Sequence, residues 1–185
     1  MTAETVELVS KAVTNAISGL SGMTGKQFRV FSFDLKKVKV KEVPYEFGGP
    51  EALIVGVYLK IKDKNGHIFV GYKPEVAAEL VGMALGQEPN STLDLSELEQ
   101  SVLGEIGNLV GSFFLNTLAE GIGMSLLPSP PAVIIDMAGA VLDTPLSHIL
   151  EHEEETLILT TNFGTQDKQI NGKFLIAPMP ALEQR

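Results

Sequence analysis

Ser101-Val-Leu-Gly-Glu105-Ile-Gly-Asn108-Leu-Val-Gly-Ser112 is the stretch from which the rest of the chain is best read. At about 100° per residue, Ser101, Glu105, Asn108 and Ser112 share an arc of roughly 60° on a helix. Val102, Leu103, Ile106, Leu109, Val110, Phe113 and Phe114 take the other side, which predicts the core-facing surface. Gly104, Gly107 and Gly111 form a third stripe between them. Each glycine inside a helix costs roughly 0.5–1 kcal/mol relative to alanine, so a run of three implies a compensating role. Two readings stay open: close internal packing against a neighbouring element, or a low flank that lets a partner settle over Glu105 and Asn108. Asp94 or Ser96 is a reasonable N-cap after a loop over 87–92, and the helix is predicted to run to about Glu120.

Outward from this helix the period changes twice. Residues 5–23 have helical spacing, with Val6, Val9, Val13, Ile17 and Leu20 on one face. Over 26–72 the period is two: Val57, Leu59 and Ile61 alternate with Tyr58, Lys60 and Lys62, and Asn65-Gly66 favours a tight hairpin turn before a return strand over 67–72. Pro74 starts a short helix that Gly86 stops. After Pro131, residues 132–142 read as a further helix, followed by strands over 156–163 and 173–178. The layout predicts an α+β fold, with long helices packed on a largely antiparallel sheet. Two pseudo-repeated halves are expected, roughly 1–92 and 93–185. Sliding the second half back until Gly123 meets Gly25 puts Glu105 on Glu7 and Leu118 on Leu20.

Composition narrows the function. The chain has 185 residues, 44% of them apolar and 20% charged, which suits a globular core. It has no cysteine, which excludes a disulfide scaffold, a thiolate metal site and a cysteine nucleophile. The net charge of −9 argues against nucleic acid. The one basic cluster, Lys36, Lys37, Lys39 and Lys41, alternates with Val38 and Val40 and reads as the wet face of a strand guarding a sheet edge. The opening MTAETVELVSKAV is not a signal peptide, and no stretch approaches the roughly 20 apolar residues that span a bilayer, so a cytoplasmic protein is expected.

Other constellations carry less. His148 and His152 stand four apart, a spacing that puts two imidazoles on one helix face, but a third ligand is not evident and no metal site is expected. The surrounding Glu151, Glu153, Glu154 and Glu155 read as a solvated helix end or loop. His67 reads as a surface strand residue. Ser129-Pro-Pro131 would stiffen a connection. Glu105 and Asn108 taken alone are ordinary residues for an exposed helix face, although a carboxylate beside an amide suits positioning work: the amide donates and accepts, and the acid pairs with a lysine.

The spacing of Ser101, Glu105, Asn108 and, after twenty-two further residues, Pro131 resembles the signature of the CheC/CheX/FliY phosphatases of bacterial chemotaxis. That signature is Asp or Ser, three residues, Glu, two residues, Asn, about twenty-two residues, Pro. The text around it, LGEIGNLVGSFFLNTLAEGIGMSLLPSPPAVIIDMAGAVLD, is similar to CheC, as are the hairpin VGVYLKIKDKNGHIFVGY and the closing NGKFLIAPMPALEQ. The resemblance implies a phosphatase whose substrate is a CheY-type response regulator carrying an aspartyl phosphate. It implies that Asn108 orients the attacking water and Glu105 engages the regulator's lysine, with Ser101 and Pro131 in support. It implies no cofactor of the chain's own, the Mg2+ belonging to the regulator.

CheC proteins often carry a second motif in the first half. Here Ala3, Glu7 and Ser10 take its places, so the asparagine is missing; in another frame Asn15 is present, but Ala12 replaces the acid. One working site and one degenerate site, at Glu7 and Ser10, are therefore expected. The two-half length favours CheC over the shorter, dimerising CheX, and a monomer is expected. No motor domain of the FliY kind is seen, which disfavours a flagellar-switch part. The alternative function is a binding module or adaptor for a regulator or for the receptor deamidase CheD.

Overall fold

A computed structural model describes residues 2–62, 66–90, 95–151 and 154–177. The first element, α1 (Ala3–Thr24), is capped by the Thr2 side chain, which accepts a hydrogen bond from the Thr5 backbone N–H. It stops at Gly25, whose φ of 69° an L side chain rarely adopts. Val9, Val13, Ile17 and Leu20 are buried along one side. Strand β1 (Arg29–Lys39) follows, then a 3-10 turn (Val40–Glu42) and the short α2 (Val43–Glu46). The hairpin strands β2 (Leu53–Lys60) and β3 (His67–Tyr72) pair antiparallel. Asn65, at their predicted turn, lies outside the described residues. Helix α3 (Pro74–Leu85) ends at Gly86, and α4 (Glu97–Ile122) carries the polar stripe.

Residues 132–142 are not one helix. Strand β4 (Ala132–Met137) comes first and α5 (Ala138–Leu150) starts only after it. The run Ala-Val-Ile-Ile is short and apolar, and its period does not separate a buried helix turn from a strand. Three consecutive β-branched side chains behind Pro131 prefer the extended form, and the open side of β2 gives them a partner. The continuous period-two reading also fails over 40–46, where Pro44 sits in the first turn of α2. Strands β5 (Glu155–Gly164) and β6 (Gln169–Ala177) complete the fold, and position 178, the expected end of the last strand, lies outside the described residues.

The six strands form one sheet in the order β1-β5-β6-β3-β2-β4, antiparallel throughout. Its topology is interlaced: β1 pairs with β5 from the later part of the chain, and β4 pairs with β2 from the earlier part. Alternate residues of β2 feed two cores. Val55, Val57 and Leu59 face α1, α3 and α4, while Ile54 joins α2 and α5 on the other face. Helices thus cover both sides of an α+β fold.

Helix α4 is long and apolar enough, by length and composition, to cross a membrane. Its buried residues, among them Leu103, Ile106, Val110, Phe114 and Leu118, lie in the core over the sheet. Strand β1 is a sheet edge, and Lys36, Lys37 and Lys39 stand exposed along it; Lys41 lies in the 3-10 turn instead. Lys36 pairs with Glu46 at 2.9 Å, and the Lys173 ammonium donates to the Glu46 carbonyl, tying α2 to the sheet. The Glu46 carboxylate holds the Lys36 pKa above its ordinary value.

Candidate functional site

The start of α4 is set by local chemistry. The Ser96 hydroxyl accepts from the Glu99 N–H at 3.3 Å, and the Glu99 carboxylate accepts from the Ser96 N–H at 2.8 Å, a reciprocal cap. The backbone N–H of Ser96 holds the Glu99 pKa below the ordinary carboxylate value. Ser96 is therefore the N-cap; Asp94, the other candidate, lies outside the described residues.

The glycine stripe faces the sheet. A Cβ on Gly107 would stand 2.3 Å from Val57 Cγ1, and one on Gly111 2.5 Å from Leu59 Cδ1. Neither has room for a side chain, so these two glycines serve close packing of α4 on β2. At Gly104 the nearest atom, Val133 Cγ2, is an ordinary 3.5 Å away. This rotates the core face relative to the sequence expectation. Phe113 is 46% exposed, and with Leu109 it lies against Gly19 of α1 rather than in the sheet core. Sequence spacing marked an apolar side correctly but did not show that α4 packs against two neighbours, the sheet and α1.

With Gly107 pressed on β2, the opposite side of α4 is turned outward. Ser101 and Glu105 are exposed, and Asn108 and Ser112 are half-buried. Among the described residues, neither the Glu105 carboxylate nor the Asn108 amide has a hydrogen-bonding or ion-pair partner. Glu105 and Asn108 are three residues apart and so stand about one helical turn from each other. Such a pair is free to meet an incoming partner: the acid can take a cation, and the amide can both donate and accept.

Beside them lies an open groove of about 590 Å³. Ser101, Glu105 and Pro131 all line it, so three of the four predicted motif positions meet there. Asn108 is not among its lining residues and stands one turn further along. Sequence reasoning missed Met23, which reaches the groove from the end of α1, and Val133, which reaches it from β4. Nothing in the spacing pointed to Met23. Val133 was hidden by the helical reading of 132–142.

On α1, Glu7 is exposed and Ser10 half-buried. In the alternative frame, the Asn15 amide donates to Thr117 Oγ1 at 3.0 Å, and Thr117 in turn donates to the Phe113 carbonyl, so Asn15 is engaged in the α1–α4 contact. Ala12 is buried.

His67 is not a surface residue. It is 3% exposed, with its Nδ1 2.5 Å from the Tyr58 hydroxyl and its ring stacked 5.0 Å from that of His148. The cross-strand neighbour Tyr58 and helix α5 cover it, which a local turn reading could not anticipate. Burial, with His148 and Lys60 nearby, lowers its pKa to about 4. His152 lies outside the described residues, and no group of three metal-ligating side chains occurs among the described ones.

The model of the CheC-like family matches residues 98–135, which take in α4 and most of β4. The CheY-P phosphatase CheC of Bacillus subtilis is 28% identical over 126 residues, covering 66% of this chain and 60% of that protein. The match thus spans less than two thirds of that relative's own length. FliY of Thermotoga maritima superposes over 100% of this chain and 94% of its own with a TM-score of 0.74 and 18% identity. A chain of the FliG–FliM complex from H. pylori shares the fold at a TM-score of 0.66 and 12% identity, with both chains fully covered.

Proposed function

We propose that this chain is a CheC-like protein and that it hydrolyses the aspartyl phosphate of a CheY-type response regulator. The observation that carries the reading is the outward pair Glu105 and Asn108, unpartnered and one turn apart on a helix pinned to the sheet. In the reaction a water oxygen attacks phosphorus in line and the bond from phosphorus to the aspartyl oxygen breaks. The carboxylate leaves, and inorganic phosphate and a proton are released. Little covalent chemistry is asked of the protein, so positioning and charge placement supply the acceleration.

Asn108 would enter the regulator's site and hold that water, accepting from it through Oδ1 while Nδ2 donates to a phosphoryl oxygen. Glu105 would pair with the regulator's active-site lysine and fix the complex. The scheme needs no cofactor bound to this chain; the Mg2+ is carried by the regulator. Ser101 and Pro131 border the groove and act in support. The site at Glu7 and Ser10 has no amide and is inactive. The reaction takes place in the cytoplasm between monomers of the two proteins, with neither nucleic acid nor membrane involved.

A second reading keeps the docking and drops the turnover: a binding module for the regulator, or an adaptor for the deamidase CheD. Occurrence of the same fold in the FliG–FliM complex favours it. The two readings separate when phosphate release is followed with the regulator in large molar excess. The phosphatase reading predicts many turnovers per molecule. Binding that slows or leaves unchanged the regulator's own decay would select the module.

A further inference from the structure

We infer that the groove beside Glu105 receives a second basic side chain of the partner, a lysine or arginine whose aliphatic stem lies on Met23, Val102 and Val133 and whose charged head reaches Glu97. The inference rests on the phosphatase reading and extends its docking surface from α4 to the end of α1.

The groove has two kinds of wall. Met23, Val102, Val133 and Pro131 supply apolar surface from three separate elements, while Glu97 and Glu105 supply carboxylates eight residues apart on α4. Among the described residues, no lysine or arginine lines it. Among the described residues, neither carboxylate has an ion-pair partner. Two other grooves differ in this respect: one carries Lys26, Arg29 and Lys168, the other Lys73 and Lys173. Here alone, among these three, the negative charge is left uncompensated beside apolar surface.

Long cationic side chains suit such a site, because they bury a methylene stem while keeping the charged head on a polar rim. A purely apolar occupant would leave both carboxylates desolvated without a partner, and an acidic one would be repelled. Glu105 is taken by the regulator's active-site lysine, which leaves Glu97 for a basic residue outside that active site. Met23 is 39% exposed and remains available to a stem laid over it.

The test measures two quantities for each variant. One is the Kd for a CheY-type regulator whose aspartate carries beryllofluoride, a non-hydrolysable mimic of the phosphoryl group. The other is the rate of aspartyl-phosphate decay at saturating protein. Glu97→Lys is expected to raise the Kd by about tenfold or more, as reversal of an interfacial charge does. Glu97→Gln should raise it less and flatten its dependence on salt. Met23→Ala should raise it by about three- to fivefold through lost apolar contact. All three should leave the saturating decay rate within about twofold of wild type, since none touches the reacting atoms. Met124→Ala, comparably exposed beyond the other end of α4, should bind normally. If wild type accelerates decay while the Glu97 and Met23 variants bind unchanged, the groove assignment is overturned and the phosphatase reading stands. A lower saturating rate with unchanged Kd also overturns it. If wild type neither binds nor accelerates decay, the phosphatase reading falls and takes the groove with it.

Discussion

Gly107 on α4 lies directly over Val57 on β2: a Cβ built on the glycine would stand 2.3 Å from the valine Cγ1, 2.7 Å from its Cβ and 2.9 Å from its Cγ2. Three atoms of a branched, fully buried side chain cannot all give way, so the helix must withdraw or the strand must bend. This contact sets how deeply α4 sits, and thereby where Asn108, the next residue, stands relative to the surface.

Gly107→Ala should therefore destabilise the protein by about 1–3 kcal/mol, overpacking outweighing the roughly 0.5–1 kcal/mol gained in helix propensity. Gly104→Ala, with its nearest neighbour at 3.5 Å, should be neutral or mildly stabilising. Urea denaturation of both variants checks the contrast. The double variant Gly107→Ala/Val57→Ala should recover part of the loss. Equal effects at 104 and 107 would contradict the packing described.

Stability should fall on mild acidification because of His67. Its folded pKa, about 4, lies below the ordinary histidine value of 6.5, so between these values the unfolded chain binds the proton that the folded chain refuses. The contribution is fully present above pH 6.5 and is lost as pH falls towards 4, with a slope approaching about 1.4 kcal/mol per pH unit. His67→Gln should flatten this part of the profile. A profile between pH 7 and 4 that is identical in wild type and variant would contradict the buried, neutral imidazole.

Asn15 serves the contact between α1 and α4. Asn15→Ala should cost about 1 kcal/mol, the typical worth of a hydrogen bond, and leave regulator dephosphorylation unchanged. Glu7→Ala and Ser10→Ala should likewise leave the rate unchanged. Loss of acceleration in any of the three would place a working site on α1.

Much of this was legible in the sequence because it is periodic. The faces of α1 and α4, the glycine stop of α3, the hairpin strands and the outward direction of Glu105 all follow from spacing and cap chemistry. What was not legible depended on distant partners. Residues 132–137 form a strand because β2 offers them an open edge, and His67 is buried because Tyr58 and His148 close over it. The purpose of the glycine stripe was undecidable locally, since Val57 and Leu59 are about fifty residues away from Gly107 and Gly111 in the chain. The motif named three residues of the groove, but Met23 joins them only through the packing of α1 on α4.

The most direct measurement is single-turnover decay of a phosphorylated CheY-type regulator, taken with a binding isotherm on the same samples, for wild type, Asn108→Ala and Glu105→Ala. Loss of the water-holding amide should lower the rate by about 10²-fold or more, the scale of a lost positioning group, while the regulator still binds. Removal of the carboxylate should weaken binding and slow decay together. Three proteins that speed decay equally would show that the chemistry lies elsewhere on the molecule.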